Sequence, residues 1–168
     1  MPEHLVVDEK ITWLDGEEIY VPTTVGGGCI LGITVAEQAD GAALKQAYGE
    51  FASEAAAVFP TYQPASVCTD GWKATREAWR CLFPWITLVL CYLHSILKIS
   101  ERATGALRHT VLDKAWHVYR ATTKASFAQR TRRLHEWSKG HLTGALASMV
   151  EKLCARKPDF LPAYDCPG

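Results

Sequence analysis

Ala65-Ser66-Val67-Cys68-Thr69-Asp70-Gly71 is the stretch that decides the fold. It is a β-prone run that ends in an acid and a glycine, which predicts a short strand followed by a turn into a helix. A second acid, Asp8, closes an earlier apolar run that begins at His4. The two acids are 62 positions apart (70 − 8 = 62), so only the pairing of two strands could bring their side chains together.

The rest of residues 1–91 predicts the elements around these two acids. Asp15-Gly16 is a tight-turn dipeptide between two β-prone runs, and Gly26-Gly27-Gly28 predicts a second turn before a third strand. Asp40 is a predicted helix N-cap, and Phe83-Pro84 ends a second helix. The run from Ile86 to Cys91 is apolar apart from Thr87, which predicts a central strand covered on both faces. The predicted order is β-β-β-α-β-α-β.

This order places the first and fourth strands side by side and parallel, so we expect Asp8 and Asp70 to meet near the carboxyl end of the fourth strand. Two ionised carboxylates about 4 Å apart repel by about 4 kcal/mol at an effective dielectric constant of 20, so such a pair tends to bind cations or to share a proton. The arrangement is typical of a ribonuclease H-like phosphoryl-transfer core. Asp8 as a turn or edge-strand residue, and Asp70 as a plain N-cap, are the simpler alternatives.

Charge is distributed unequally along a chain whose formal net charge is zero. Residues 1–90 contain 5 Lys and Arg against 12 Asp and Glu (5 − 12 = −7), whereas residues 91–168 contain 13 against 6 (13 − 6 = +7). The basic half has helical periodicity, and its residues Lys124, Arg130, Arg132 and Arg133 are candidates for contact with DNA backbone phosphates. Two halves that neutralise each other in solvent are the alternative interpretation.

The stretch from Thr69-Asp70-Gly71 through Phe83-Pro84 to Cys91-Tyr92-Leu93-His94 resembles the catalytic region of Mutator-like DDE transposases. The resemblance spans roughly residues 4–94. It implies an α/β fold with a ribonuclease H-like mixed sheet over residues 1–95, an incomplete catalytic core, followed by an all-helical insertion over residues 96–168. It also implies that Asp8 and Asp70 are catalytic metal ligands, and that Cys91 and His94 match the family's Cys-x-x-His signature.

The third acid of that family, a glutamate on a helix after the insertion, has no convincing counterpart in this sequence. Glu151 is the one candidate, and its position between Val150 and Lys152 on an amphipathic helix favours a solvent-exposed side chain. We therefore expect the chain to be a fragment of a longer transposase, with its third metal ligand outside the 168 residues.

Cys91 and His94 leave three interpretations open. Thiolate and imidazole at this spacing could bind zinc, although two further ligands would be needed. The resemblance implies a packing or DNA-facing role instead, and the third interpretation is a buried cysteine beside a partly exposed histidine. The six cysteines form no Cys-x-x-Cys pair and are expected to be reduced thiols.

The sequence thus predicts metal-dependent DNA phosphodiester cleavage and strand transfer in the full-length protein, with two Mg²⁺ or Mn²⁺ ions as cofactors. The expected partner is double-stranded DNA, both transposon ends and target. A homo-oligomer is left open, and no membrane association is expected. With no leader peptide evident, we expect a cytoplasmic location, at the nucleoid in a prokaryote. Two alternatives are a non-catalytic, regulatory DNA-binding module and a ribonuclease H-like nuclease.

Overall fold

The computed structural model of the protein describes residues 1–166, without the side chain of Ala106, and these residues form two compact units. The first unit comprises Met1–Leu90, and the second begins at Cys91. The first is an α/β unit and the second is helical. The interpretation of the second unit as an insertion into a catalytic core stays a prediction.

The first unit contains a five-stranded mixed sheet. Its strands are β1 (His4–Leu14), β2 (Glu17–Gly26), β3 (Cys29–Ile33), β4 (Ser66–Thr69) and β5 (Thr87–Leu90). Their spatial order is β3-β2-β1-β4-β5, with antiparallel pairing among β1, β2 and β3 and parallel pairing of β1 with β4 and β4 with β5. The predicted β-β-β-α-β-α-β succession and the ribonuclease H-like fold class are confirmed.

The turns of the antiparallel part lie where the sequence predicted them. Asp15 and Gly16 join β1 to β2 with φ angles of 52° and 85°, a conformation that Asp tolerates and that Gly adopts without steric penalty. Gly27 and Gly28, at φ 59° and 77°, join β2 to β3. A bulge between Thr24 and Val25 interrupts the register of β2 with β3.

Two helices, α1 (Gly41–Val58) and α2 (Lys73–Leu82), pack with the sheet around one hydrophobic core. Asp40 caps α1 as predicted, because its Oδ1 accepts hydrogen bonds from the backbone N–H groups of Ala42 and Ala43 at 2.9 and 2.8 Å. The core contains the completely buried Trp79, which stacks on Phe83, together with the following buried side chains: Leu5, Val7, Leu44, Tyr48, Phe51, Ala55, Val67, Ala78 and Ile86.

One expectation for this sheet was wrong. The apolar run from Ile86 to Cys91 predicted a central strand, but β5 is at an edge of the five-stranded sheet. Ile86, Val89 and Leu90 are buried, whereas Thr87 is exposed. An apolar run reports burial of its side chains, and burial is compatible with a strand that has a hydrogen-bonded neighbour on one side only.

The second unit consists of α3 (Tyr92–Arg102), α4 (Ala106–Tyr119), α5 (Lys124–His141), α6 (Gly144–Ala155), α7 (Lys157–Phe160) and a final 3₁₀ turn (Leu161–Tyr164). Tyr92, Phe127 and Phe160 form an aromatic cluster within its core, with ring centroids 5.0 to 6.1 Å apart. Across the part of the chain that the structure describes, none of the helices has the length and apolar character needed to cross a membrane.

Candidate functional site

Asp8 is on β1, and Asp70 directly follows the parallel neighbour β4 at the matching register position. The pairing of β1 with β4 aligns His4 with Ser66, Leu5 with Val67 and Val6 with Cys68. Asp8 follows Val6 by two residues and Asp70 follows Cys68 by two, so the same register brings Asp8 level with Asp70, directly after the end of β4. Neighbouring strands are about 4.8 Å apart, which places the two backbones within reach of one shared ligand.

The two acids also share a face of the sheet, because side chains alternate along a strand. On β1, Leu5 and Val7 are buried in the core that α1 and α2 cover, while Val6 is 51% exposed. Asp8 has the same parity as Val6 and is exposed. On β4, Val67 belongs to the core, and Asp70 has the opposite parity. Asp8 therefore belongs to the face away from the two helices, and the alternation of β4, continued one residue past Thr69, assigns Asp70 to the same face.

The backbone after β4 forms a tight turn that orients Asp70. Asp70 Oδ1 accepts a hydrogen bond from the backbone N–H of Trp72 at 2.7 Å, and Thr69 Oγ1 accepts one from the N–H of Gly71 at 3.2 Å. Gly71 has a φ angle of 89°, which L side chains rarely adopt. The N-cap of α2 is Trp72, so Asp70 precedes the cap by two residues. The plain N-cap interpretation of Asp70 thus does not describe this turn.

Glu9, the neighbour of Asp8, points to the opposite face and contacts both helices. Its Oε1 accepts one hydrogen bond from Tyr48 Oη on α1 at 2.6 Å and another from Thr75 Oγ1 on α2 at 2.7 Å. The alternation of side chains along a strand predicts the face on which Glu9 lies. The sequence did not predict that Tyr48 and Thr75 would bind Glu9, because residue spacing does not indicate how the helices pack against the strand.

The surroundings of Glu9 raise the pKa of its carboxyl group. Burial raises the pKa of Glu9 above its usual value, the hydrogen bonds from Thr75 and Tyr48 oppose that rise, and the negative charges of Asp70 and Asp8 add to it. Burial, followed by the charge of Glu9, raises the pKa of Tyr48. Three carboxylates therefore lie close enough for their charges to interact, two on one face of the sheet and one on the other.

The donor set of Asp8 and Asp70 fits a weakly held divalent cation. Mg²⁺ prefers oxygen ligands, keeps several waters, and is commonly bound through one or two carboxylates together with phosphate oxygens of a substrate. Each Asp70 oxygen has two lone pairs, so the bond to Trp72 does not prevent coordination. Among residues 1–166, however, no three His, Cys, Asp or Glu side chains form a group that could hold a metal ion by themselves.

Cys91 and His94 belong to the second unit, at the start of α3. Cys91 is the N-cap residue with extended backbone angles, and His94 is in the first turn of the helix. Both side chains are partly buried. Since the described residues contain no group of three metal-binding side chains, the fourfold coordination of structural zinc has no support at this position.

The four basic candidates all lie on α5 but have different surroundings. Lys124 Nζ is paired with Asp165 Oδ2 at 2.5 Å, and Arg132 Nε is 3.5 Å from Glu136 Oε1. Arg130 and Arg133 are three residues apart and therefore neighbours on the helix surface, whereas Arg132 faces another direction. The structure thus brings two of the four together, Arg130 and Arg133.

A cavity of about 320 Å³ between α4 and α5 contains Arg130 and Arg133. Its lining is completed by Asp113, Lys114, His117 and Leu134. Arg130 Nη1 donates a hydrogen bond to the carbonyl oxygen of His117 at 2.7 Å, and Lys114 Nζ lies 4.8 Å from the centroid of the Trp137 ring. Lys114 and His117 are three residues apart on α4, a spacing that could have identified them from the sequence.

Comparison with solved structures finds similarity to the crystal structure of the catalytic domain of Mos1 mariner transposase, with a TM-score of 0.38 and 11% sequence identity. The alignment covers 99% of this chain and 84% of that one. No family model matches the chain, and neither does any curated protein. The assignment to the ribonuclease H-like fold class depends on the strand order and register of the sheet.

Proposed function

We propose that the chain is part of a transposase that cuts and joins DNA, with Asp8 and Asp70 as ligands of catalytic Mg²⁺ or Mn²⁺. The observation that supports this most strongly is the parallel register of β1 and β4, which aligns the two acids on one face of the sheet. Phosphodiester cleavage needs an activated oxygen nucleophile and a stabilised leaving oxygen, and divalent cations held by carboxylates supply both.

The proposal has two further parts. A Mutator-like relationship is supported only by the order of motifs along the chain, in which Asp70-Gly71 is followed by Cys91 and His94. Glu151 is exposed on α6, as a solvated residue would be, so we propose that the third acid lies outside the 168 residues. The isolated chain should then bind Mn²⁺ weakly and lack efficient strand transfer, because two carboxylates hold a cation less firmly than three.

Mn²⁺ binding to the 168-residue chain tests the proposal. We expect Asp8→Asn and Asp70→Asn each to weaken Mn²⁺ binding about tenfold or more, measured by the electron paramagnetic resonance signal of free Mn²⁺. Asp15→Asn is the matched control, because it removes one carboxylate from the same unit at a turn where Asn tolerates the positive φ angle. Equal loss of binding in all three variants, or no Mn²⁺ binding by the parent chain, would contradict the proposal.

A non-catalytic DNA-binding module is the second candidate. The observation that favours it is the charge of residues 91–168, 13 Lys and Arg against 6 Asp and Glu, in a unit that is helical throughout its described part. DNA binding that depends on salt, is unchanged in Asp8→Asn and Asp70→Asn, and occurs without metal-dependent cleavage would favour this candidate. Metal-dependent digestion of RNA as well as DNA would instead indicate a nuclease of the same fold class.

A further inference from the structure

Glu9 joins three elements of the first unit through one oxygen atom. It is on β1, and its Oε1 accepts hydrogen bonds from Tyr48 on α1 and Thr75 on α2, at 2.6 and 2.7 Å. Thr75 is completely buried and is the third residue of α2. A carboxylate at this position fastens the first turn of α2 to the middle of β1.

Glu9 is connected to both acids of the candidate metal site by two different routes. Asp8 is its neighbour along β1. On the other side, Thr75 is in the helical turn that begins after Trp72, where the N–H of Arg76 donates to the carbonyl oxygen of Trp72 at 3.1 Å. The N–H of Trp72 in turn donates to Asp70 Oδ1 at 2.7 Å. A displacement of the start of α2 would therefore move the Asp70 carboxylate relative to Asp8.

We propose that Glu9 is a positioning residue that fixes the spacing between the Asp8 and Asp70 carboxylates through Thr75 and the first turn of α2. This inference rests on the proposed function, since it assigns Glu9 a role in the same metal site. Contacts behind metal ligands commonly have this effect, and their loss typically weakens metal binding about 10- to 100-fold.

A purely stabilising role does not account for a carboxylate at position 9. Tyr48 and Thr75 are both buried, and an apolar cluster of the same shape would avoid the desolvation of a charge. Glu9 is adjacent to Asp8 along β1, and its bond from Thr75 leads through the first turn of α2 toward Asp70.

Two substitutions that leave the charge of the chain unchanged provide the test. Thr75→Val and Tyr48→Phe each remove one hydrogen bond to the same Glu9 oxygen, but only Thr75 is on the path to Asp70. We expect Thr75→Val to weaken Mn²⁺ binding about tenfold, in the range found for supporting contacts of metal ligands. Tyr48→Phe should bind Mn²⁺ within about twofold of the parent chain, because its bond leads to α1.

To control for loss of folding, Mn²⁺ binding is measured only for variants that circular dichroism shows to be fully folded. Thr75→Ser keeps the hydroxyl group and should restore binding relative to Thr75→Val. If Thr75→Val does not fold, Glu9→Gln and Glu9→Leu replace the pair, since the amide oxygen of Gln can accept both hydroxyl bonds and Leu can accept neither. If Glu9 acts by positioning the two metal ligands, Glu9→Gln is expected to bind Mn²⁺ at least about threefold more tightly than Glu9→Leu.

Two results would overturn the inference while leaving the proposed function intact. One is parent-like Mn²⁺ binding by Thr75→Val in a chain whose binding is abolished by Asp8→Asn. The other is equal weakening by Thr75→Val and Tyr48→Phe, which would indicate general loosening of the core. Failure of the proposed function is recognised separately, because the parent chain would then bind no Mn²⁺ and the inference would be overturned with it.

Discussion

Gly71 is the residue on which the orientation of Asp70 most directly depends. Its φ angle of 89° lets the chain reverse after β4, so that the N–H of Trp72 reaches Asp70 Oδ1. An L side chain at such an angle has its Cβ too close to a backbone carbonyl oxygen, which disfavours the conformation by about 1–2 kcal/mol. The glycine is therefore part of the geometry of the acid pair as well as of the fold.

We predict that Gly71→Ala lowers the free energy of unfolding by about 1–2 kcal/mol, for the steric reason just given. Urea denaturation followed by tryptophan fluorescence measures this change. Gly49→Ala is the control, because Gly49 is inside α1 and an added Cβ would meet only Leu82 at an ordinary 3.8 Å. That control should be neutral or stabilising by up to about 1 kcal/mol. Equal destabilisation by both would contradict the role of the positive φ angle.

At the scale of elements, the cavity between α4 and α5 presents three cationic side chains from two helices. Arg130, Arg133 and Lys114 line it, and Asp113 is the acidic residue among the lining. Arg130 and Lys114 are held by the contacts to the His117 carbonyl and the Trp137 ring. Cations fixed in this way can meet a phosphate group without losing much further freedom of their side chains.

We predict that Lys114→Ala combined with Arg133→Ala reduces the salt dependence of duplex DNA binding. Each phosphate contact contributes about 0.9 to the slope of log K against log salt, so the slope should fall by up to about 1.8. Fluorescence anisotropy at several salt concentrations measures it. Lys139→Ala combined with Lys152→Ala removes the same charge from exposed positions away from the cavity. An equal fall in this control would show that total charge, and not the cavity, determines binding.

The elements differ in how well the sequence predicts them. The β1–β2 turn follows from Asp15-Gly16 and the start of α1 from Asp40, because these signals are local and act through the backbone of adjacent residues. The neighbouring, parallel placement of β1 and β4, which brings Asp8 level with Asp70, follows from the predicted order of strands.

Other features depend on packing that no local pattern reports. The bonds of Glu9 with Tyr48 and Thr75 require both helices to be placed on the sheet first. The edge position of β5 was missed because apolar side chains indicate burial and not the number of paired neighbours. The separation of Arg132 from Arg130 and Arg133 follows from helical geometry, but composition alone treats the three as one cluster.

At the scale of the whole molecule, buried proton-bearing groups occur in both units. Burial raises the pKa of the Cys154 thiol from 9.0 to about 11. Burial likewise raises the pKa of Tyr48 and of Tyr92. Unfolding exposes these groups and returns their pKa values to normal, so above pH 9 the unfolded chain holds fewer protons than the folded chain. Their contribution to stability is complete below the normal pKa values. It is lost as the pH rises toward the pKa values that these groups have in the folded state.

We therefore predict that the free energy of unfolding falls as the pH rises from 9 to 11. Urea denaturation midpoints at about pH 7.5, 9 and 10.5 measure the change. The slope of the free energy of unfolding against pH is proportional to the number of protons released on unfolding. Cys154→Ala removes one of the titrating groups and should show a smaller fall, each protein being compared with itself at the lowest pH. A midpoint that is constant or rises over this interval would contradict the prediction.

The order of strands in the sheet has a consequence for the nascent chain. β1 is the first of the five strands to be synthesised, whereas its parallel neighbour β4 begins 52 residues after β1 ends (66 − 14 = 52). The β1–β2 hairpin can form early from local contacts. The other edge of β1 stays unpaired until β4 has been synthesised, and such non-local pairing is slow. Charged side chains discourage aggregation at an open edge. During that interval Asp8, Glu9 and Lys10 would protect the emerging polypeptide from pairing with other chains.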